Sequence, residues 1–116
     1  MRMIIVYSSP IMRRFLIVLL LLPSVCLAAD AEFRLSIREH RFEPAELRVP
    51  AGRRIKLTIV NQDPAAEEFE SYELHREKLI PANSSGTVYI GPLEAGRYPF
   101  FGDFHPQTTT GVIVAE

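Results

Sequence analysis

RYPFFGDFHPQTTTGVIVAE, residues 97–116, sets two short apolar segments on either side of a polar loop that carries one histidine. Tyr98 to Phe101 follows the Glu94-Ala95-Gly96 turn and reads as a strand, and Val112 to Val114 is a second, rich in the β-branched residues that suit a pleated surface. Between them, Asp103-Phe104-His105-Pro106 and a run of three threonines show no helical or strand period and read as a loop. A metal-capable aspartate and histidine therefore stand in i, i+2 relation just beyond the end of a strand.

Working upstream, the same signals repeat. Phe33, Leu35 and Ile37 alternate with Arg34, Ser36 and Arg38, the period-two pattern of a half-buried strand. Pro44 and the Val49-Pro50-Ala51-Gly52 turn bracket a short strand around Leu47, because proline and glycine interrupt ladders. Ile55, Leu57 and Ile59 alternate again until Asn61-Gln62-Asp63-Pro64 ends the run. Phe69 to Leu74, Leu79-Ile80 and Val88 to Ile90 complete the set, and Ala65 to Glu68 is the one place where a turn of helix is expected. Seven or eight short strands with turns roughly every 8–12 residues describe an all-β Greek-key β-sandwich.

The N-terminal 29 residues follow a different logic. Arg13 and Arg14 precede an unbroken apolar run from Phe15 to Leu22, then Pro23 and small residues through Ala29, which is the layout of a secretory signal peptide. Crossing a bilayer takes about 20 apolar residues, and this run stops at Pro23. The expected organisation is thus a leader over 1–29, intact even if translation starts at Met12, and one domain over 30–116. Pro23-Ser24-Val25 lacks the residues that usually precede a lipidated cysteine, so Cys26 is not read as an anchor. The three methionines and the single cysteine all lie upstream of that cleavage point, so the exported domain holds no sulfur and no disulfide. Of the 13 basic residues Arg2, Arg13 and Arg14 leave with the leader, while all 14 acidic residues lie at or beyond Asp30, giving residues 30–116 a formal charge of −4. Such a balance argues against nucleic-acid binding, which draws its affinity from phosphate neutralisation, and suits a cation or a basic partner.

Three places gather metal-capable side chains. In Glu67-Glu68-Phe69-Glu70, strand geometry puts Glu68 and Glu70 on one face. Two carboxylates so placed repel unless solvent or a cation lies between them; a solvated edge and a cation site both fit. Asp103 and His105 form the second place. The third, His75-Arg76-Glu77-Lys78, carries two cations that disfavour another, and His40 in His-Arg-Phe-Glu-Pro reads as a turn or surface residue. No serine or cysteine nucleophile lies beside a histidine motif, so a hydrolase has little support.

The order of these pieces, IVNQDP, a liganding strand, LEAGRYPFF, a histidine loop and GVIV, resembles a cupredoxin, the blue-copper sandwich. The resemblance sets Gly102 where the copper cysteine would stand, Thr109 or Thr110 near the methionine, and Glu67 or Glu68 near the first histidine. A blue site needs a thiolate, so it implies either a metal-free fold or one with harder donors. EEFESYELHREKLIP, GPLEAGRYPFFGDFH and TGVIVAE are similar to the small cupredoxin-like components of bacterial ferrous-iron uptake systems. That likeness implies a periplasmic accessory binding iron or copper through Glu68, Glu70, Asp103 and His105, rather than an enzyme in its own right. Its role would be to support Fe(II) oxidation, electron transfer or Cu(II) shuttling beside an inner-membrane iron permease and an iron- or copper-binding companion. The alternative is a metal-free interaction module that docks on the permease or another partner through Phe100, Phe101 and Phe104.

Overall fold

The computed structural model describes Met3, residues 16–23 and residues 29–116. Most of the expected leader lies outside the described residues; within it, Leu16 to Leu22 form no helix or strand and are exposed. Among the described residues no helix is long and apolar enough to cross a membrane.

Nine strands form two packed sheets: β1 (Ala31–Arg38), β2 (Arg41–Glu43), β3 (Glu46–Val49), β4 (Ile55–Asn61), β5 (Glu67–Ser71), β6 (Arg76–Ile80), β7 (Ser85–Ile90), β8 (Gly96–Gly102) and β9 (Thr110–Ala115). The first sheet runs β2-β1-β4-β7 and the second β3-β9-β8-β5-β6. The pairs β1/β4 and β3/β9 are parallel and the others antiparallel. The all-β Greek-key sandwich expected from the alternation is therefore the fold, with one strand more than anticipated. The addition is β2, whose single apolar residue, Phe42, gave no period to detect. The helical turn expected at Ala65 to Glu68 is absent: residues 63–65 bend and Glu67 already belongs to β5.

Alternation fixes which side chains meet. Ile55, Leu57, Ile59 and Asn61 all point inward from β4, as Leu35 and Ile37 do from β1. Burying apolar area of this kind contributes about 25 cal/mol per Å², and one polar group comes with it. Asn61, 1% exposed, donates to the carbonyls of Ala65, Ile80 and Pro81 and accepts from Asp63 N–H, so its burial costs no unpaired atom. At one end of the core Phe42, Phe69 and Phe100 meet edge to face or tilted, with ring centroids 4.9–6.2 Å apart. Strands β5 and β8, which carry two of these rings, lead directly into the residues that bear the chemistry.

Candidate metal centre

His105 sits in the loop 103–109 between β8 and β9, and the loop is closed by its own backbone. Gly102 N–H donates to Thr109 O at 2.7 Å and Thr109 N–H to His105 O at 2.9 Å, while Asp103 N–H continues the β5 ladder by bonding Glu68 O at 2.8 Å. Position and direction of the imidazole are thus set by strand ends rather than by a free loop.

Across from it lies Glu67, the first residue of β5. Glu67, Phe69 and Ser71 share the inward face of that strand, so Glu67 is carried inside with the phenylalanine and is 2% exposed. Its Oε1 accepts from the N–H groups of Glu68 (3.0 Å) and Phe104 (2.9 Å), and its Oε2 lies 2.7 Å from His105 Nδ1. A third group, His40 in the β1–β2 turn, stacks its ring on His105 with centroids 3.7 Å apart and planes at 25°. His40, Glu67 and His105 each offer a ligand atom within 4.8 Å of the others. The hollow beside them, about 410 Å³, is lined by His40, Phe104, His105, Pro106, Gln107 and Thr108.

The four residues expected as ligands do not form one group. Glu68, Glu70 and Asp103 do converge within the same 4.8 Å limit, on the outer face of the second sheet; His105 instead turns to the inner side and meets Glu67 and His40. Period-two geometry makes this unavoidable, because Glu67 and Glu68 point to opposite faces. The expected set took Glu68 rather than Glu67 as a partner of His105, and Phe69, which shares the face of Glu67, was the available signal. His40 had none, since it arrives from a distant turn. His75 stands in another turn, beside a second open hollow with Glu70 and Glu77.

Crowding of carboxylates marks the outer group. Glu77 of β6 lies directly opposite Glu70. The hydrogen bond to Glu77, then desolvation and the charges of Glu77, Asp103 and Glu70, push the Glu68 carboxyl up to about 7. Glu70 is raised by desolvation and then by Asp103 and Glu77. An acid whose folded pKa lies above its unfolded value of 4.5 favours the folded state fully only below that value, and the advantage is lost as pH rises through about 7. Thermal melts of Glu68→Gln and wild type are expected to coincide most closely near the acid end and to separate in favour of the variant towards pH 8. A constant difference across that range would contradict the repulsion.

A blue-copper set does not fit these residues. Residues 29–116 contain no cysteine, and Gly102 stands where the resemblance puts the thiolate. A Cβ added there would lie 2.6 Å from Glu67 Cδ and 2.7 Å from Thr109 Cγ2. The carboxylate of Glu67 thus occupies the space such a side chain needs. Thr109, 0% exposed, uses its hydroxyl to bond His40 O at 2.7 Å. What remains is a donor set of two imidazoles and one carboxylate, which suits ions of borderline to hard character.

This architecture, with its site at a strand end and in a C-terminal loop, defines a cupredoxin-like protein. The pattern of the cupredoxin-like domain family matches residues 12–115, and the chain belongs to that family. It is 42% identical over 83 residues to an uncharacterized protein of Rickettsia prowazekii (strain Madrid E), an alignment covering 72% of this chain and 66% of that one. Among solved structures it is similar to auracyanin A, a "blue" copper protein from Chloroflexus aurantiacus, with TM-score 0.65, 15% identity and coverage of 76% and 100% of the two chains. Amicyanin from Paracoccus versutus gives TM-score 0.58 at 20% identity, with 77% and 84% covered. The metal-binding domain of the Streptococcus pneumoniae D39 Cu(I)-exporting P-type ATPase gives 0.62 at 19%, with 73% and 84% covered.

Proposed function

We propose that the chain is a periplasmic metal-binding accessory that holds an iron or copper ion between His40, Glu67 and His105 and supports ferrous-iron oxidation and uptake. One observation carries this reading: a buried carboxylate 2.7 Å from an imidazole nitrogen, with a second imidazole stacked on the first. Two histidines and a carboxylate are a donor set known for non-haem Fe(II), and imidazole with oxygen donors equally accepts Cu(II). Glu68, Glu70 and Asp103 offer an oxygen-only position on the neighbouring face, suited to the harder Fe(III). An ion at the inner position replaces the contact between Glu67 and His105 and competes with protons for the imidazole nitrogens, so binding strengthens as pH rises. The partners in this reading are an inner-membrane iron permease and an iron- or copper-binding companion. Support for them comes from the resemblance of the Glu-Phe-Glu-Ser, Arg-Glu-Lys and Phe-Gly-Asp-Phe-His runs to those of uptake components.

Titration of the purified protein with Cu(II) and with anaerobic Fe(II) tests the reading. Glu67→Gln and His105→Ala should each weaken binding at least about tenfold, the scale of changes around a metal's ligand shell. Loss on Glu70→Ala instead assigns the ion to the outer carboxylates, and unchanged isotherms in all three variants overturn both positions.

A second reading is favoured by one observation. Every buried side-chain polar atom among the described residues has a partner without any ion, Glu67 included. Of Phe100, Phe101 and Phe104, through which a metal-free interaction module was expected to dock, Phe100 is buried in the core, and such a module would dock through Phe104, 49% exposed beside the hollow. Protein that binds neither ion yet co-purifies with a permease would establish it.

A further inference from the structure

We infer that Asp63 and Thr109 are positioning residues that clamp a strained turn and so hold the His40 ring against His105; the benefit for metal binding rests on the function proposed above. The β1–β2 hairpin closes at the Arg38–Arg41 pair, leaving Glu39 and His40 as a two-residue turn. Both have positive φ, 51° and 56°. Two-residue hairpin turns of this kind favour asparagine and glycine, because a Cβ is disfavoured in the left-handed region. Glycine at position 40 would make the same turn without strain but would bring no imidazole.

The turn is held from both ends. Asp63, 6% exposed, accepts Glu39 N–H at 2.7 Å with one oxygen and His40 N–H at 2.9 Å with the other, and it is itself fixed by Asn61, whose Oδ1 accepts Asp63 N–H. One carboxylate thereby satisfies two adjacent left-handed N–H groups. On the other side, the Thr109 hydroxyl donates to His40 O at 2.7 Å while Thr109 N–H donates to His105 O at 2.9 Å. A single buried residue thus bridges the backbones of the two segments that carry the imidazoles. The family resemblance sets the methionine near Thr109 or Thr110; here the Thr109 hydroxyl links the two segments. Preorganisation of this kind holds donors at fixed separation before any ligand arrives.

Two measurements on the full chain test the clamp, one of them without metal. In metal-free protein, the ring protons of His40 and His105 should show upfield NMR shifts from mutual stacking. Thr109→Val, which keeps the shape and removes the hydroxyl, should abolish them, and Thr109→Ser should retain them. Asp63→Asn, whose amide can accept only one of the two N–H groups, should also abolish them and guards against a Thr109→Val chain that fails to fold. Folded Thr109→Val and Asp63→Asn proteins with unchanged ring shifts overturn the clamp. With Cu(II), Thr109→Val should weaken affinity about tenfold but add no further loss in a His40→Asn background. Additive losses would show that Thr109 acts independently of His40 and overturn the positioning role. Wild-type protein that binds no Cu(II) or Fe(II) defeats the metal reading, and the ring shifts still decide the clamp.

Discussion

Glu67→Ala is expected to lower the melting temperature by roughly 10–30 °C, the largest effect of any single change at the site. Its carboxylate is the acceptor for Phe104 N–H and the partner of His105 Nδ1, and it is 2% exposed. Each polar group left unpaired costs about 1–3 kcal/mol, and the vacated volume adds to that, whereas removing a buried charge returns part of its desolvation penalty. The balance is a loss of about 2–4 kcal/mol, and a domain of this size loses about 4–8 °C per kcal/mol. Glu67→Gln keeps the volume and one acceptor, so it should lose less than half as much. Calorimetry of the two variants checks the ordering; equal melting of Glu67→Ala and wild type would remove Glu67 as organiser of the loop.

The second large effect is expected on restoring the sulfur that the family resemblance places at position 102. Gly102→Cys forces its Cβ to within 2.6 Å of Glu67 Cδ and 2.7 Å of Thr109 Cγ2. Overpacking of this kind costs about 1–3 kcal/mol. The single variant is therefore destabilised, as denaturant titration would show, and its thiol competes with Glu67 for one space. Adding Glu67→Ala frees that space, so the double variant should lose less stability than the two single losses combined. It also brings a thiolate beside two imidazoles, the donor types of a blue centre, and with Cu(II) should develop an intense thiolate-to-copper absorption that wild type lacks. A double variant whose loss is the simple sum would show that positions 67 and 102 do not contest the same volume.

These two positions show why the site was only half legible in the sequence. Leu35 and Ile37, or Leu57 and Ile59, announce their strands because alternation is a local property, and the sandwich follows from it. The loop holding Asp103 and His105 was equally plain, and Glu68 with Glu70 were rightly put on one face. Phase was the difficulty. A shift of one residue separates the solvent-facing Glu68 from the buried Glu67, and only the weight given to Phe69 chooses between them. His40 lies beyond any local rule, since a strained turn and a threonine from the other end of the domain bring it into place. Nothing in His-Arg-Phe-Glu-Pro reports a contact made that far along the chain.

The placement of β9 between β3 and β8 makes it the seam of the second sheet. Glu46 to Val49 and Gly96 to Gly102 are neighbours only through β9, so β3 joins the rest of the second sheet only once β9 is in place. Long-range parallel pairing is slow to form in any case. Docking of β3 onto that seam is thus the step that joins an early and a late segment of the domain.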